Sequence, residues 1–202
     1  VRRILGEGSL SAFIVPIITE ARTKEGKERA WAFASNALTT IGLVALVIAA
    51  IGILAAGPLF SVFGYGYVAR GDAEAVALGA QLTRIMFPFT LLLALSSILM
   101  GMCHSIRHFV TPALGSIMLN LSMIAAGLVF GRMPDARFAR ILAVAVVIGA
   151  VLRLVVMLPP LLAAGFRYRP ALRIQTPYMR RLFLMMGPAL FGLAVMQINI
   201  SI

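Results

Sequence analysis

From Ala30 to Ala69 the chain carries no charged residue and no histidine. About twenty residues of α-helix cover one bilayer hydrocarbon core of about 30 Å. A charge-free stretch of this length is hard to place in a soluble fold. The whole chain agrees with that reading. Its 202 residues are 61% hydrophobic and 12% charged, against about 25% charged in a soluble domain, and mean hydropathy is +0.99. The expectation is an all-α, polytopic transmembrane helix bundle of about six spans.

The spans follow from the apolar runs. The first helix runs from before Arg2 to about Ala21. A dense charged loop, Arg22 to Arg29, follows. The second span occupies about Trp31 to Ala56, with Trp31 as an interfacial aromatic and Gly57-Pro58 as its stop. Residues 60 to 72, rich in glycine and aromatics, are expected as an interfacial loop. The third span runs from about Ala73 to Gly101, with Arg84 interfacial and Pro88 bending it. Arg107, His104 and His108 make a polar turn. The fourth span is Phe109 to Phe130, with Asn120 and Ser122 as its polar pair. Gly131 to Arg140 is a loop. The fifth span, Ile141 to Ala164, carries Arg153, for which a partner outside the chain or snorkelling is the preferred account. A basic loop with Arg167, Arg169, Arg173, Arg180 and Arg181 leads to a last span from about Leu182.

Alternate loops differ in basic residues. One side holds Arg22, Lys24, Lys27, Arg29, Arg107, Arg167, Arg169, Arg173, Arg180 and Arg181. The other holds only Arg70, Arg132, Arg137 and Arg140. The positive-inside rule makes the first side cytoplasmic. The net charge of +11 is therefore read as loop charge rather than as a nucleic-acid footprint, since no basic stripe with interleaved aromatics appears. The chain starts at Val1 among charges and stops at Ile202 inside an apolar run, so it is expected to be a fragment truncated at both ends.

Several chemistries lack their residues. Cys103 is the one cysteine, so no disulfide forms within the chain. His104 and His108 are four apart but lack further ligands for a metal. No nucleophile and base occur at a useful spacing, and no two carboxylates do. Gly64-Tyr65-Gly66 lacks the strand and helix of a phosphate loop. No catalytic residue, metal or cofactor is expected.

The stretch with most functional content is Arg2 to Glu20. On one helix Arg3 and Glu7 share a face, while Arg2 and Ser9, seven apart, share another. Gly6 and Gly8 allow close approach by a backbone or a bulky ligand. Pro16 removes the helix bond to the carbonyl of Ala12. Charges beside a membrane-length apolar run are costly and usually functional, although paired arginines also mark membrane boundaries.

The pattern R-R-x-x-x-E-G-x-x-S-x-x-x-x-P-x-x-x-E, Arg2 to Glu20, resembles the second transmembrane helix of the MurJ (MviN) lipid II flippase family, within the multidrug/oligosaccharidyl-lipid/polysaccharide exporter superfamily. Arg84-Ile85-Met86-Phe87-Pro88, Pro112-Ala113-Leu114 with Leu119-Asn120-Leu121-Ser122-Met123, and Gly187-Pro188-Ala189 leading to Gln197-Ile198-Asn199 are similar to later family motifs, in the family's order. The resemblance covers essentially all of the chain. It implies a single membrane-embedded stretch, residues 1–202, from the second span to the start of the seventh span of a two-lobed transporter in the bacterial cytoplasmic membrane. It implies alternating access around a cationic cavity, with lipid II, the undecaprenyl diphosphate-linked sugar-pentapeptide, as substrate. On that likeness Arg2 contacts the diphosphate, Arg3 and Glu7 support it, and Gln197 and Asn199 face the cavity. Membrane lipids and other cell-wall synthesis proteins are the implied partners, with no nucleic acid. The rival readings are a polysaccharide-lipid flippase or drug exporter of the same superfamily, and a membrane scaffold without transport. The Arg-Arg/Glu-Gly motif argues against a cation antiporter, which would want buried acids.

Overall fold

The computed structural model describes residues 9–188. Seven helices follow in order: α1 Ser9–Glu25, α2 Lys27–Leu54, α3 Ala56–Phe63, α4 Tyr65–Ala69, α5 Ala73–Ser105, α6 Val110–Phe130 and α7 Asp135–Ala163. Residues 177–188 are again helical. No strand occurs among the described residues. Helices α2, α5, α6 and α7 are each long and apolar enough to cross a membrane. Large apolar side chains such as Leu54, Leu128 and Val129 lie exposed on them, as side chains bathed in lipid do.

Charged residues expected in loops are absorbed into helices. Only Gly26, at φ +87°, separates α1 from α2. Lys, Arg and Glu are strong helix formers; Glu20–Lys24 links successive turns of α1, and Glu25–Arg29 spans the Gly26 break. In the same way α7 begins at Asp135, six residues before the expected Ile141, with its acid at the positive helix end. The expected interfacial loop at 60–72 is instead two short helices, α3 and α4, broken at Gly64. Its aromatics Phe63 and Tyr65 remain exposed. Gly57-Pro58 lies in the first turn of α3 rather than terminating α2, and proline is tolerated in a first turn. Pro88 sits inside the continuous α5.

The stops of α5 and α7 share one device. At the end of α7 the N–H of Phe166 bonds the carbonyl of Leu161, and that of Gly165 bonds Leu162, both at 2.9 Å. Gly165 takes the left-handed conformation, φ +86°, that such a stop requires. The end of α5 repeats it with His108 to Cys103 and Arg107 to His104. Here Arg107, φ +60°, occupies the glycine position.

The contacts divide the chain into two compact units. Among the described residues the first unites 9–41, 97–109 and 157–188. Its core is Ile14, Ile17 and Ile18 of α1, Phe33, Ala34 and Ala37 of α2, Ile98, Met102 and Cys103 of α5, and Met157 and Leu161 of α7, closed by Phe166, Met179 and Leu182. The Sγ of Cys103 donates to the carbonyl of Met157 at 3.8 Å. Trp31, expected as an interfacial aromatic, packs inward against the unit's own core. It is 8% exposed and meets Phe166 edge-on, with ring centroids 5.5 Å apart.

The second unit unites 42–96 and 110–156, and glycines set its helix approaches. The Phe87 ring lies against Gly52, and the Phe60 ring against Gly79. Gly149 of α7 faces Leu119 and Ser122 of α6. The Ser122 hydroxyl lies 2.8 Å from the carbonyls of both Leu119 and Ala145. Small residues at close crossings, with a hydroxyl bonded across them, are how membrane helices associate. Asn120, the other polar residue expected in this span, is exposed. Arg153 is 4% exposed, so it does not snorkel to an interface.

Candidate functional site

Helix α1 has two unlike faces. Ser11, Ile14, Ile17, Ile18 and Ala21 are buried, while Ala12, Pro16, Thr19 and Thr23 are exposed. The exposed residues follow a 4-3-4 spacing, which makes one continuous helical stripe. This stripe forms a wall of a groove of about 770 Å³, with His104 and Phe109 opposite. The His104 and Phe109 rings pack together, centroids 5.1 Å apart.

The groove is mostly apolar at its surface. Thr19 and Thr23 spend their hydroxyl protons on their own helix, on the carbonyls of Val15 and Thr19 at 2.8 and 2.9 Å. Their lone pairs remain free to accept. Proline has no N–H, so Pro16 offers none to the carbonyl of Ala12. Lys24 is held by Glu20 at 2.8 Å. The wall therefore suits an extended apolar or amphipathic molecule, with acceptors but no unengaged cation at the described positions.

The later half of the sequence motif thereby acquires local roles. Ser11 packs where α1 approaches α5: a Cβ on Gly101 would meet the Ser11 Cα at 3.3 Å and Ile14 at 3.0 Å. Pro16 lines the groove. Glu20 accepts from both Lys24 and Arg181, joining α1 to the last helical segment. Arg2, Arg3, Glu7, Gln197 and Asn199 lie outside the described residues.

A second, more polar cleft of about 990 Å³ opens between the start of α2 and residues 165–181. After α7 the chain runs without regular structure from 166 to 173, as a strap along α2. Asn36 holds its backbone. Its amide Nδ2 donates to the carbonyl of Arg173, and its Oδ1 accepts from the Arg173 N–H, both at 2.8 Å. Ser35 accepts from the N–H of Arg169 at 3.3 Å. The Thr39 hydroxyl meets the Tyr168 hydroxyl at 2.9 Å. Tyr178 donates to Glu25 at 2.5 Å, which raises the phenol above its ordinary pKa because ionisation would break that bond; burial adds to the shift.

Sequence reasoning did not single out Ser35, Asn36 and Thr39. Their signal was present: they are hydrogen-bonding residues on adjacent turns of an otherwise apolar span. Their partners, however, lie more than 120 residues away in the chain.

These features define a multi-pass, all-helical membrane protein with an open groove on its motif-bearing helix. The profile of the family described as lipid II flippase MurJ matches residues 1–202, and the chain belongs to that family. It is 30% identical over 206 residues to the lipid II flippase MurJ of Burkholderia cenocepacia, covering 100% of this chain and 39% of the relative. A Rhizobium tropici protein named "Probable lipid II flippase MurJ" is 31% identical over 205 residues, covering 100% and 38%. One of the same name from Vibrio cholerae is 26% identical over 208 residues, covering 98% and 39%. The chain thus spans about two-fifths of the length of these relatives.

Proposed function

We propose that this chain supplies the second span to the start of the seventh span of a lipid II flippase. That protein moves the undecaprenyl diphosphate-linked sugar-pentapeptide across the bacterial cytoplasmic membrane by alternating access, without covalent chemistry. The observation that carries this reading is the family match along the whole chain. A second supports it. The open stripe Ala12, Pro16, Thr19 and Thr23 of α1 continues, by spacing alone, to Ser9 and Arg2, seven and fourteen residues before Pro16. An apolar, acceptor-lined wall with an arginine further along the same stripe matches a ligand with a lipid tail and a diphosphate. Arg2 then contacts the diphosphate bidentately, Arg3 and Glu7 brace it, and Gln197 and Asn199 face the same cavity. The ten-arginine-and-lysine side of the loop pattern is cytoplasmic in this reading.

The test is translocation by the full-length protein reconstituted in vesicles with fluorescent lipid II in both leaflets, scored by how much becomes accessible to an external modifying enzyme. Accessibility beyond that of protein-free vesicles is expected. Equal movement of an undecaprenyl diphosphate bearing an unrelated glycan would point to a polysaccharide-lipid flippase, and no movement of either would leave a scaffold.

A further inference from the structure

The strap after α7 combines two properties that together call for a membrane surface. Its arginines Arg167, Arg169 and Arg173 are exposed and make no ion pair among the described residues. The cleft's acids are partly committed elsewhere: Glu20 to Lys24 and Arg181, Glu25 to Tyr178 and, at 4.0 Å, Arg29. Interleaved with those arginines are exposed apolar side chains, Tyr168 at 54%, Leu172 at 58% and Ile174 at 56%. An unstructured hydrophilic loop would not need them.

The strap is also held at a definite depth. Its attachment points Ser35, Asn36 and Thr39 lie about 9–15 Å along α2 beyond Arg29, the last charged residue before the apolar run. Apolar side chains at an interface bury about 5–10 Å into the boundary between headgroups and acyl chains, while arginines reach back to the headgroups. The polar grip of α2 on the strap's backbone satisfies the N–H groups of Arg169 and Arg173, which lets this irregular segment lie beside lipid at low cost.

We propose that residues 166–174 form a docking strap for anionic phospholipid. Arg167, Arg169 and Arg173 contact lipid phosphates, and Tyr168, Leu172 and Ile174 rest against acyl chains. The occupant is a lipid surface of net negative charge. Charge complementarity favours it, and so does the strap's position between the apolar end of α7 and the apolar residues that follow Arg181. The proposal concerns bulk lipid and is independent of which molecule is transported.

The test compares the full-length protein with two triple variants, R167Q/R169Q/R173Q and, as a control of equal charge change, R132Q/R137Q/R140Q. Each is titrated in detergent micelles with phosphatidylglycerol or phosphatidylcholine, and the thermal unfolding midpoint is followed. Each basic residue near an anionic surface contributes enough to alter binding severalfold, so the strap variant should need about tenfold or more phosphatidylglycerol for half its effect. The control variant and the phosphatidylcholine titrations should match wild type. An unchanged phosphatidylglycerol response in the strap variant overturns the proposal. So does an equal loss in the control, which would make the effect one of net charge. So does an equal stabilisation of wild type by soluble glycerol phosphate, which would make the strap a site for a free anion.

Discussion

The carboxamide of Asn36 and the backbone of Arg173 form a closed pair of hydrogen bonds, 2.8 Å in each direction, across 137 residues of sequence. A side chain here does what a neighbouring strand would do in a sheet: it satisfies both polar groups of one residue in a segment with no regular structure. Asn36 is 4% exposed, so its own amide also depends on Arg173.

Replacing Asn36 by alanine removes both bonds and leaves the part-buried N–H and carbonyl of Arg173 unmatched. An unsatisfied buried polar group costs about 1–3 kcal/mol. Asn36→Ala in the full-length protein is expected to destabilise by about 2–3 kcal/mol and to make the strap susceptible to limited proteolysis between Phe166 and Tyr178. A protease pattern identical to wild type would mean that the strap is held by other contacts.

Gly149 provides a second sharp test. A Cβ at this position would sit 2.9 Å from the Leu119 Cα and 3.2 Å from its carbonyl oxygen, and would also strike the Ser122 hydroxyl. Backbone atoms cannot rotate away as a side-chain tip can, so α6 and α7 would have to separate. Gly149→Ala is expected to cost about 1–3 kcal/mol, the usual range for overpacking, although alanine is the better helix former by about 1 kcal/mol. Gly127→Ala is the matched control, because a Cβ there meets nothing within 4 Å. Thermal unfolding in detergent should lower the midpoint for the first and leave or raise it for the second.

Cys103 reports on the integrity of the first unit. It is fully buried, and its Sγ contacts the Met157 carbonyl. The thiol sits just before the His104–His108 turn, and its burial shields it there. The folded protein is expected to resist a membrane-impermeant maleimide added from either side and to react after denaturation. Rapid labelling of the native protein would show that the Met102–Cys103 edge of α5 opens in solution.

Much of the bundle was legible because a membrane span is set by length and the absence of charge, both local properties. The charge-free run from Ala30 became most of α2, whereas the stop expected at Gly57-Pro58 fell inside α3. What misled was treating charge as a sign of loop. Apart from Gly26, Arg22 to Arg29 and Asp135 to Arg140 are helical, with Glu20–Lys24 paired one turn apart and Asp135 at the start of its helix. Trp31 misled for a different reason: sequence depth locates a residue along the membrane normal but not around the helix. The strap site was hidden because its geometry depends on a backbone distant in sequence. Of the motif from Arg2 to Glu20, the described part supplies packing at Ser11, a groove wall at Pro16 and an ion pair at Glu20. Its proposed ligand contacts lie at residues before Ser9.

Those contacts yield the last expectation. A diphosphate brings negative charge into a region where unpaired charge is costly, and a guanidinium offers it two parallel donors where lysine offers a compact, strongly hydrated cation. Losing one charge-assisted bond is worth about 1.5–3 kcal/mol, or about ten- to a hundredfold in affinity. Arg2→Ala in the full-length protein is therefore expected to abolish complementation of a flippase-depleted strain while membrane insertion is retained. Arg2→Lys should be impaired as well, since charge without the fork is insufficient. Arg3→Ala should be milder, since Arg3 stands four residues before Glu7 in the sequence and is proposed to share its charge with that acid. The measurement is a plasmid-shuffle viability assay with protein levels followed by immunoblot. Normal growth of Arg2→Ala at wild-type abundance would make Arg2 an interfacial anchor and remove it from the proposed binding site.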